Sequence, residues 1–194
     1  MTKPALDSRQ RMVVAAADML ARHGLNATSI RELAKRADAP LGSTYHHFPR
    51  GKDQVIVEAI ALAGARVDAG LDLYLQAGNP AGLGQFIASW RDILVRSKFR
   101  IGCPVMAAAI DEPLVPEGDA PREAAAKVFA GWRRRLEKSF ASGGIGKDEA
   151  ADLATLVIAS LEGAVVLCRA EQSIEPFDRI ARQIESLAKS QLRK

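Results

Sequence analysis

The sequence predicts an all-α protein: an N-terminal three-helix helix-turn-helix module joined to a C-terminal helical body, with about nine helices altogether. Three observations carry this. Alanine and aliphatic residues dominate while aromatics make up only 5%, a balance that favours helix over strand. Nine prolines and fifteen glycines in 194 residues leave long uninterrupted runs. Within those runs apolar residues recur at helical spacing, segment after segment.

The first helix opens at Asp7, a good N-cap with Gln10 three residues on, and its stripe of Met12, Val13, Ala16, Ala17 and Leu20 lasts until Gly24. Ser29 to Glu32 has capping-box spacing, with Thr28 as a competing cap, and Ile30, Leu33, Ala34 and Ala37 form the stripe of a short second helix. Asp38-Ala39-Pro40 breaks the chain, because proline disfavours helical geometry at the residue before it yet suits the start of the next helix. Leu41, Thr44, Tyr45 and Phe48 give a third helix over 41–47, which Pro49-Arg50-Gly51 ends.

A long helix runs from Lys52 towards Gly78, and Asn79-Pro80 is the cap and first position of the fifth, with Leu83, Phe86, Ile87, Trp90, Ile93 and Leu94 on one face. Gly102-Cys103-Pro104 opens a shorter helix ending near Glu112-Pro113, and Pro113 to Pro121 reads as a surface loop. Ala125, Val128, Phe129, Trp132, Leu136 and Phe140 mark the seventh helix, closed by the glycines at 143, 144 and 146. Asp148 to about Glu171 is a long eighth helix, apolar over a broad arc, and Pro176 starts the last, with the stripe Phe177, Ile180, Ala181, Ile184 and Leu187. Leu153 to Cys168 is too short for a membrane span and includes Glu162, so a core or interface helix is expected, with no membrane partner. The polar start lacks a signal-peptide pattern, so a cytoplasmic location is expected.

Charge is uneven along the chain. Residues 1–52 hold nine Lys or Arg against four acids, a net of +5, which leaves −1 for the remainder of a chain of net charge +4. A basic end on a near-neutral body suits a polyanionic partner, although a solvated basic surface gives the same count. The division expected from charge is therefore residues 1–52, the part that meets a polyanion, and residues 53–194, the near-neutral body.

Residues 39–52 carry the chemistry. A helix in the major groove needs small or polar residues at its leading end and flanking donors for phosphates. Gly42 lets the backbone approach, Ser43 and Thr44 offer hydroxyls, and Leu41 meets a thymine methyl if it faces out. Tyr45, His46 and His47 are phosphate donors, as is Lys52 at the start of the fourth helix. Thr28 and Arg31 reach the flanking backbone or a base edge. Each has an alternative: Thr28 as a cap, Tyr45 and Phe48 as bundle core, Arg31 solvated. Tyr45 satisfies both if its ring is in the core and its hydroxyl on a phosphate. No metal is expected, since His46 and His47 diverge on a helix and no third ligand is in view.

The run Thr28-Ser-Ile-Arg-Glu-Leu-Ala, followed by Gly-Ser-Thr-Tyr-His-His-Phe and then Gly51-Lys52, resembles the TetR family of one-component repressors over roughly residues 8–60. Phe-Pro-Arg-Gly-Lys, Gly102-Cys-Pro-Val and the Glu162-Gly-Ala and Arg169-Ala-Glu tract are similar to its LmrA/YxaF-like branch. The resemblance implies a homodimer through the last two helices, a small-molecule inducer pocket in the C-terminal body and DNA contacts from Thr28, Arg31, Ser43, Thr44, Tyr45, His47 and Lys52. One departure stands out: Asp38 sits where the family turn usually has glycine, and aspartate tolerates left-handed geometry better than most residues.

Independently of the family, the eighth helix is apolar around so much of its circumference that a second subunit is needed to cover it. Two recognition helices then meet successive major grooves of a near-palindromic double-stranded operator. Phe86, Trp90, Cys103, Met106, Phe129 and Trp132, on the fifth to seventh helices, either line an apolar ligand cavity or pack the core. No nucleophile elbow, phosphate loop, paired catalytic carboxylates or metal cluster marks an enzyme or a cofactor site. The alternatives are a nonspecific DNA-binding protein without inducer and, behind it, a helical small-molecule-binding protein or enzyme.

Overall fold

The computed structural model describes residues 6–75, 81–111 and 119–191. Among them are nine helices and no strand: α1 (Ser8–His23), α2 (Ile30–Arg36), α3 (Leu41–His47), α4 (Gly51–Leu75), α5 (Ala81–Arg96), α6 (Pro104–Ile110), α7 (Ala120–Ser142), α8 (Lys147–Glu171) and α9 (Glu175–Gln191). The chain divides into two compact units, Met1–Ala65 with Cys103–Val128, and Arg66–Gly102 with Phe129–Lys194. The division expected at residue 52 falls inside the first unit, because the N-terminal half of α4, together with α6, packs with the leading helices.

In the first unit, α1 starts at a complete capping box. Asp7 accepts the Gln10 amide at 2.7 Å and Gln10 Oε1 accepts the Asp7 amide at 3.2 Å, so two otherwise orphaned N–H groups are satisfied. Helix α1 stops at Gly24, whose φ of 79° suits a residue without Cβ. Met12, Leu20, Leu25, Leu33, Phe48, Ile56 and Ile60 are fully buried, drawing a core side chain from every N-terminal element.

In the second unit, α8 packs most extensively on α9, and α5 packs on α9 as well. Ala150, Leu153, Ala154, Val157, Leu161, Ala164, Val165 and Cys168 of α8 are buried at i, i+3, i+4, i+7 spacing. Asp178 of α9 receives both Nε and Nη2 of Arg91 on α5, at 2.8 and 3.0 Å, a two-pronged pairing of guanidinium and carboxylate. Backbones also meet closely: a Cβ on Gly82, in the first turn of α5, would lie 2.1 Å from the Tyr74 carbonyl oxygen.

Four expectations need correction. Ile93 is 43% exposed, so the buried face of α5 is narrower than its stripe. Pro121 lies in the first turn of α7, where its missing N–H costs nothing, instead of in a loop. The short α6 ends at Ile110, ahead of Glu112-Pro113. Over 18 residues α8 has a mean hydropathy of 1.8, enough by length and composition to cross a membrane. One stripe of it is buried and packs in the second unit, chiefly on α9, with 39% of that window buried. Asn79-Pro80 and most of the stretch read as a loop, residues 112–118, lie outside the described residues.

Candidate nucleic-acid interface

Two short helices and the turn between them build the site. Ser29 caps α2, its Oγ accepting the Glu32 amide at 3.2 Å. After Ala37 the chain reverses through Asp38 in left-handed geometry, φ 48°, and Ala39 donates to Ala34 O at 2.9 Å. The strain of a non-glycine residue here is offset from α1. Arg11 donates through Nε to Ala37 O at 2.7 Å and through Nη2 to Asp38 O at 2.9 Å, while Nη1 reaches Leu6 O at 3.1 Å. Proline at 40 is the cap of α3.

Helix α3 is held from beneath by two buried side chains. Thr44 is 1% exposed with Oγ1 donating to Met12 Sδ at 3.5 Å, and Phe48 is fully buried under the Arg9 guanidinium, 5.2 Å from the ring centroid. Arg9 is itself fixed by Glu58 of α4 at 2.6 Å. With that face committed, Leu41, Gly42, Tyr45 and His46 are left exposed, and Arg31 of α2 is exposed too. A Cβ on Gly42 would meet nothing within 4 Å, so no packing inside the chain requires glycine there. Ser43 is half-buried with its hydroxyl donating to Pro40 O at 2.7 Å. His47 is half-buried, its Nε2 hydrogen-bonded to Ser8 Oγ at 3.1 Å. Lys52 is half-buried at the start of α4; burial holds its ammonium below the ordinary lysine value, against the pull of Asp53 and Asp111.

Three sequence-level placements change. Thr28 is 1% exposed and donates to Gly24 O at 3.0 Å, so its hydroxyl braces the α1–α2 turn. Thr44 is withdrawn in the same way. Tyr45 is 63% exposed, instead of having its ring in the core. The residues that sequence reasoning missed are Arg11, Ser8 and Arg9. Nothing in the pattern signals Arg11, because its partners are backbone carbonyls 26 and 27 residues away. His46 and His47 have ring centroids 5.8 Å apart, and no metal-holding group of three or more His, Cys, Asp or Glu occurs among the described residues.

In the second unit Phe86, Trp90 and Trp132 do come together, with Val67, Ile158, Leu161, Glu162 and Val165, around a space of about 10 Å³, room for roughly one water. Phe129 packs edge-on against Trp132 at 5.3 Å between ring centroids. Cys103 and Met106 do not join this seam: both belong to the first unit, where Cys103 caps α6 by accepting the Met106 amide at 3.5 Å.

The fold and this surface define a helix-turn-helix transcriptional regulator. Comparison with known proteins makes the assignment particular. Residues 13–59 match the bacterial regulatory proteins of the tetR family, and residues 80–183 match the C-terminal domain of LmrA/YxaF-like transcriptional regulators. The chain is 35% identical over 189 residues to an HTH-type transcriptional regulator of Mycobacterium tuberculosis, covering 95% of each chain. It is 28% identical to the HTH-type transcriptional regulator YxaF of Bacillus subtilis, covering 94% of this chain and 96% of that one. Among solved structures, a regulatory protein TetR from Rhodobacter sphaeroides superposes with a TM-score of 0.82 at 26% identity, over 92% of this chain and 97% of that one. The protein belongs to the TetR family of transcriptional regulators, with a C-terminal domain of the LmrA/YxaF type.

Proposed function

We propose that the protein is a dimeric, ligand-released repressor acting in the cytoplasm on a near-palindromic operator. The observation that carries the reading is the division of α3 and its C-cap into a buried face, Thr44 and Phe48, and an open face, Leu41, Gly42, Tyr45 and His46. The open face enters the major groove. Gly42 lets the backbone close on the base edges, Leu41 seeks a thymine methyl, and Ser43 reads a polar edge. Tyr45, His46, His47 and Lys52 hold phosphates on either side and fix the register, while Arg31 reaches a base edge at the flank. DNA recognition thus stays with residues 1–52, and effector binding and dimerisation with residues 53–194, although α6 is built into the first compact unit.

The dimer forms through α8 and α9. Leu156, Ala159, Gly163, Val166 and Leu167 are exposed along one side of α8, and Leu187 is exposed on α9, an apolar face that a second copy covers in an isologous contact. The ligand is a small apolar or aromatic molecule that opens the seam between Phe86, Trp90 and Trp132. Footprinting on the gene's own promoter tests the reading: protection of two half-sites separated by about one helical turn of DNA is expected. Uniform protection without boundaries would indicate nonspecific coating instead.

A further inference from the structure

Asp111 ends α6, its own amide donating to Ala107 O at 3.2 Å before the backbone leaves helical geometry at ψ 151°. Its carboxylate has a partner far back in the chain: Oδ2 accepts the backbone N–H of Leu25 at 2.6 Å, 86 residues earlier. Leu25 follows Gly24, the C-cap of α1, in the turn between α1 and α2, and its side chain is fully buried. Gly24 makes room for the contact, since a Cβ there would lie 3.0 Å from the same oxygen. Inside the turn, Thr28 donates to Gly24 O at 3.0 Å through its hydroxyl and to Leu25 O at 3.2 Å through its amide. Ser29, the cap of α2, follows at once, and the exposed Arg31 is two residues further.

We propose that Asp111 is a positioning residue for DNA binding: its charge-assisted bond to Leu25 sets the α1–α2 turn and, through it, where α2 begins and where Arg31 stands. This rests on the DNA-binding reading above. It also gives the C-terminally matched segment, residues 80–183, a direct mechanical hold on the N-terminally matched one, residues 13–59. The electrostatics agree, because the same carboxylate favours the charged form of Lys52.

The test uses the full chain with Asp111→Ala and Asp111→Asn; the asparagine keeps an acceptor oxygen in place. Affinity for the operator and for a random duplex is measured by fluorescence anisotropy at fixed salt, together with hydrogen exchange of the Leu25 amide. Asp111→Ala should weaken operator binding about tenfold or more, change random-duplex binding less than about twofold, and deprotect Leu25. Asp111→Asn should restore most of both. If Asp111→Ala does not fold, Asp111→Ser, too short to reach Leu25, takes its place. Wild-type-like operator binding by the alanine or serine variant, equal losses on both duplexes, or failure of asparagine to rescue would overturn the proposal. A wild-type protein unable to tell operator from random duplex would instead overturn the DNA-binding reading, and this inference with it.

Discussion

Arg11 donates through Nη2 to the carbonyl oxygen of Asp38 at 2.9 Å, and its Nε takes the neighbouring Ala37 oxygen at 2.7 Å. One planar guanidinium therefore holds both carbonyls of the turn that leads to Pro40, the cap of α3. A glycine at position 38 would need no such support. With aspartate at φ 48°, the left-handed conformation costs conformational energy that the Arg11 fork offsets.

The pair predicts opposite effects on stability. Asp38→Gly should stabilise by about 1 kcal/mol by removing the left-handed penalty. Arg11→Ala should cost about 1–3 kcal/mol, and Arg11→Lys should recover little, since an ammonium cannot reproduce the fork. Urea unfolding of the three variants measures both. A destabilising glycine would mean that the Asp38 side chain itself supports the turn.

Much of this was legible in the sequence where the signal is local. The Asp7–Gln10 capping box and the ends of α3 follow from residue type and spacing alone, whereas Ser29 shares its claim to the α2 cap with Thr28 and the left-handed turn at Asp38 is expected only from the family resemblance. What depended on residues distant in the chain was not legible. Whether Thr28 and Thr44 face in or out turns on Gly24 O and Met12 Sδ, and small polar side chains fit either side equally well. The half-cavity residues show the same limit: Phe86, Trp90 and Trp132 converge, but Cys103 sits at a helix cap in the other unit. Asp111 fell beside a stretch without periodicity, where no pattern points to a partner 86 residues away.

At the DNA surface, Lys52→Ala should lower the slope of log affinity against log salt by about one, the signature of a single phosphate contact. Tyr45→Phe should weaken operator binding without altering the helical content, because the tyrosine is exposed. Lys52 adds a pH dependence. Only the ammonium holds a phosphate, and burial lowers its pKa from 10.5. Operator affinity should therefore begin to fall with rising pH before an ordinary lysine would lose its charge. Lys52→Arg, which stays protonated, should flatten that fall. Anisotropy titrations across the alkaline range read the difference.

Dimerisation is expected to break at the middle of the exposed α8 face. Placing a charge there, as Leu156→Glu or Leu167→Glu, buries an unpaired carboxylate in an apolar contact and should yield monomers. The monomers should keep their helix content and lose most operator affinity, because two half-sites are no longer engaged together. Light scattering after size exclusion decides this. A wild-type monomer at micromolar concentration would remove the basis of the palindrome.

For the ligand seam, both tryptophans of the chain, Trp90 and Trp132, line it, so intrinsic fluorescence reports the site directly. Leu161→Ala should enlarge the space beyond its present 10 Å³ and cost about 2–5 kcal/mol of stability. It should also strengthen the quenching of tryptophan emission by a neutral aromatic probe such as naphthalene. Quenching that is absent in the wild type and unchanged in the variant would show that the seam is core packing.

The central claim is that the exposed face of α3 reads a specific sequence, and the most direct measurement is affinity for the gene's own promoter duplex against a random duplex of equal length at the same salt. The account predicts a ratio of about 10³ or more, with two protomers bound per operator. Equal affinities for the two duplexes would contradict it.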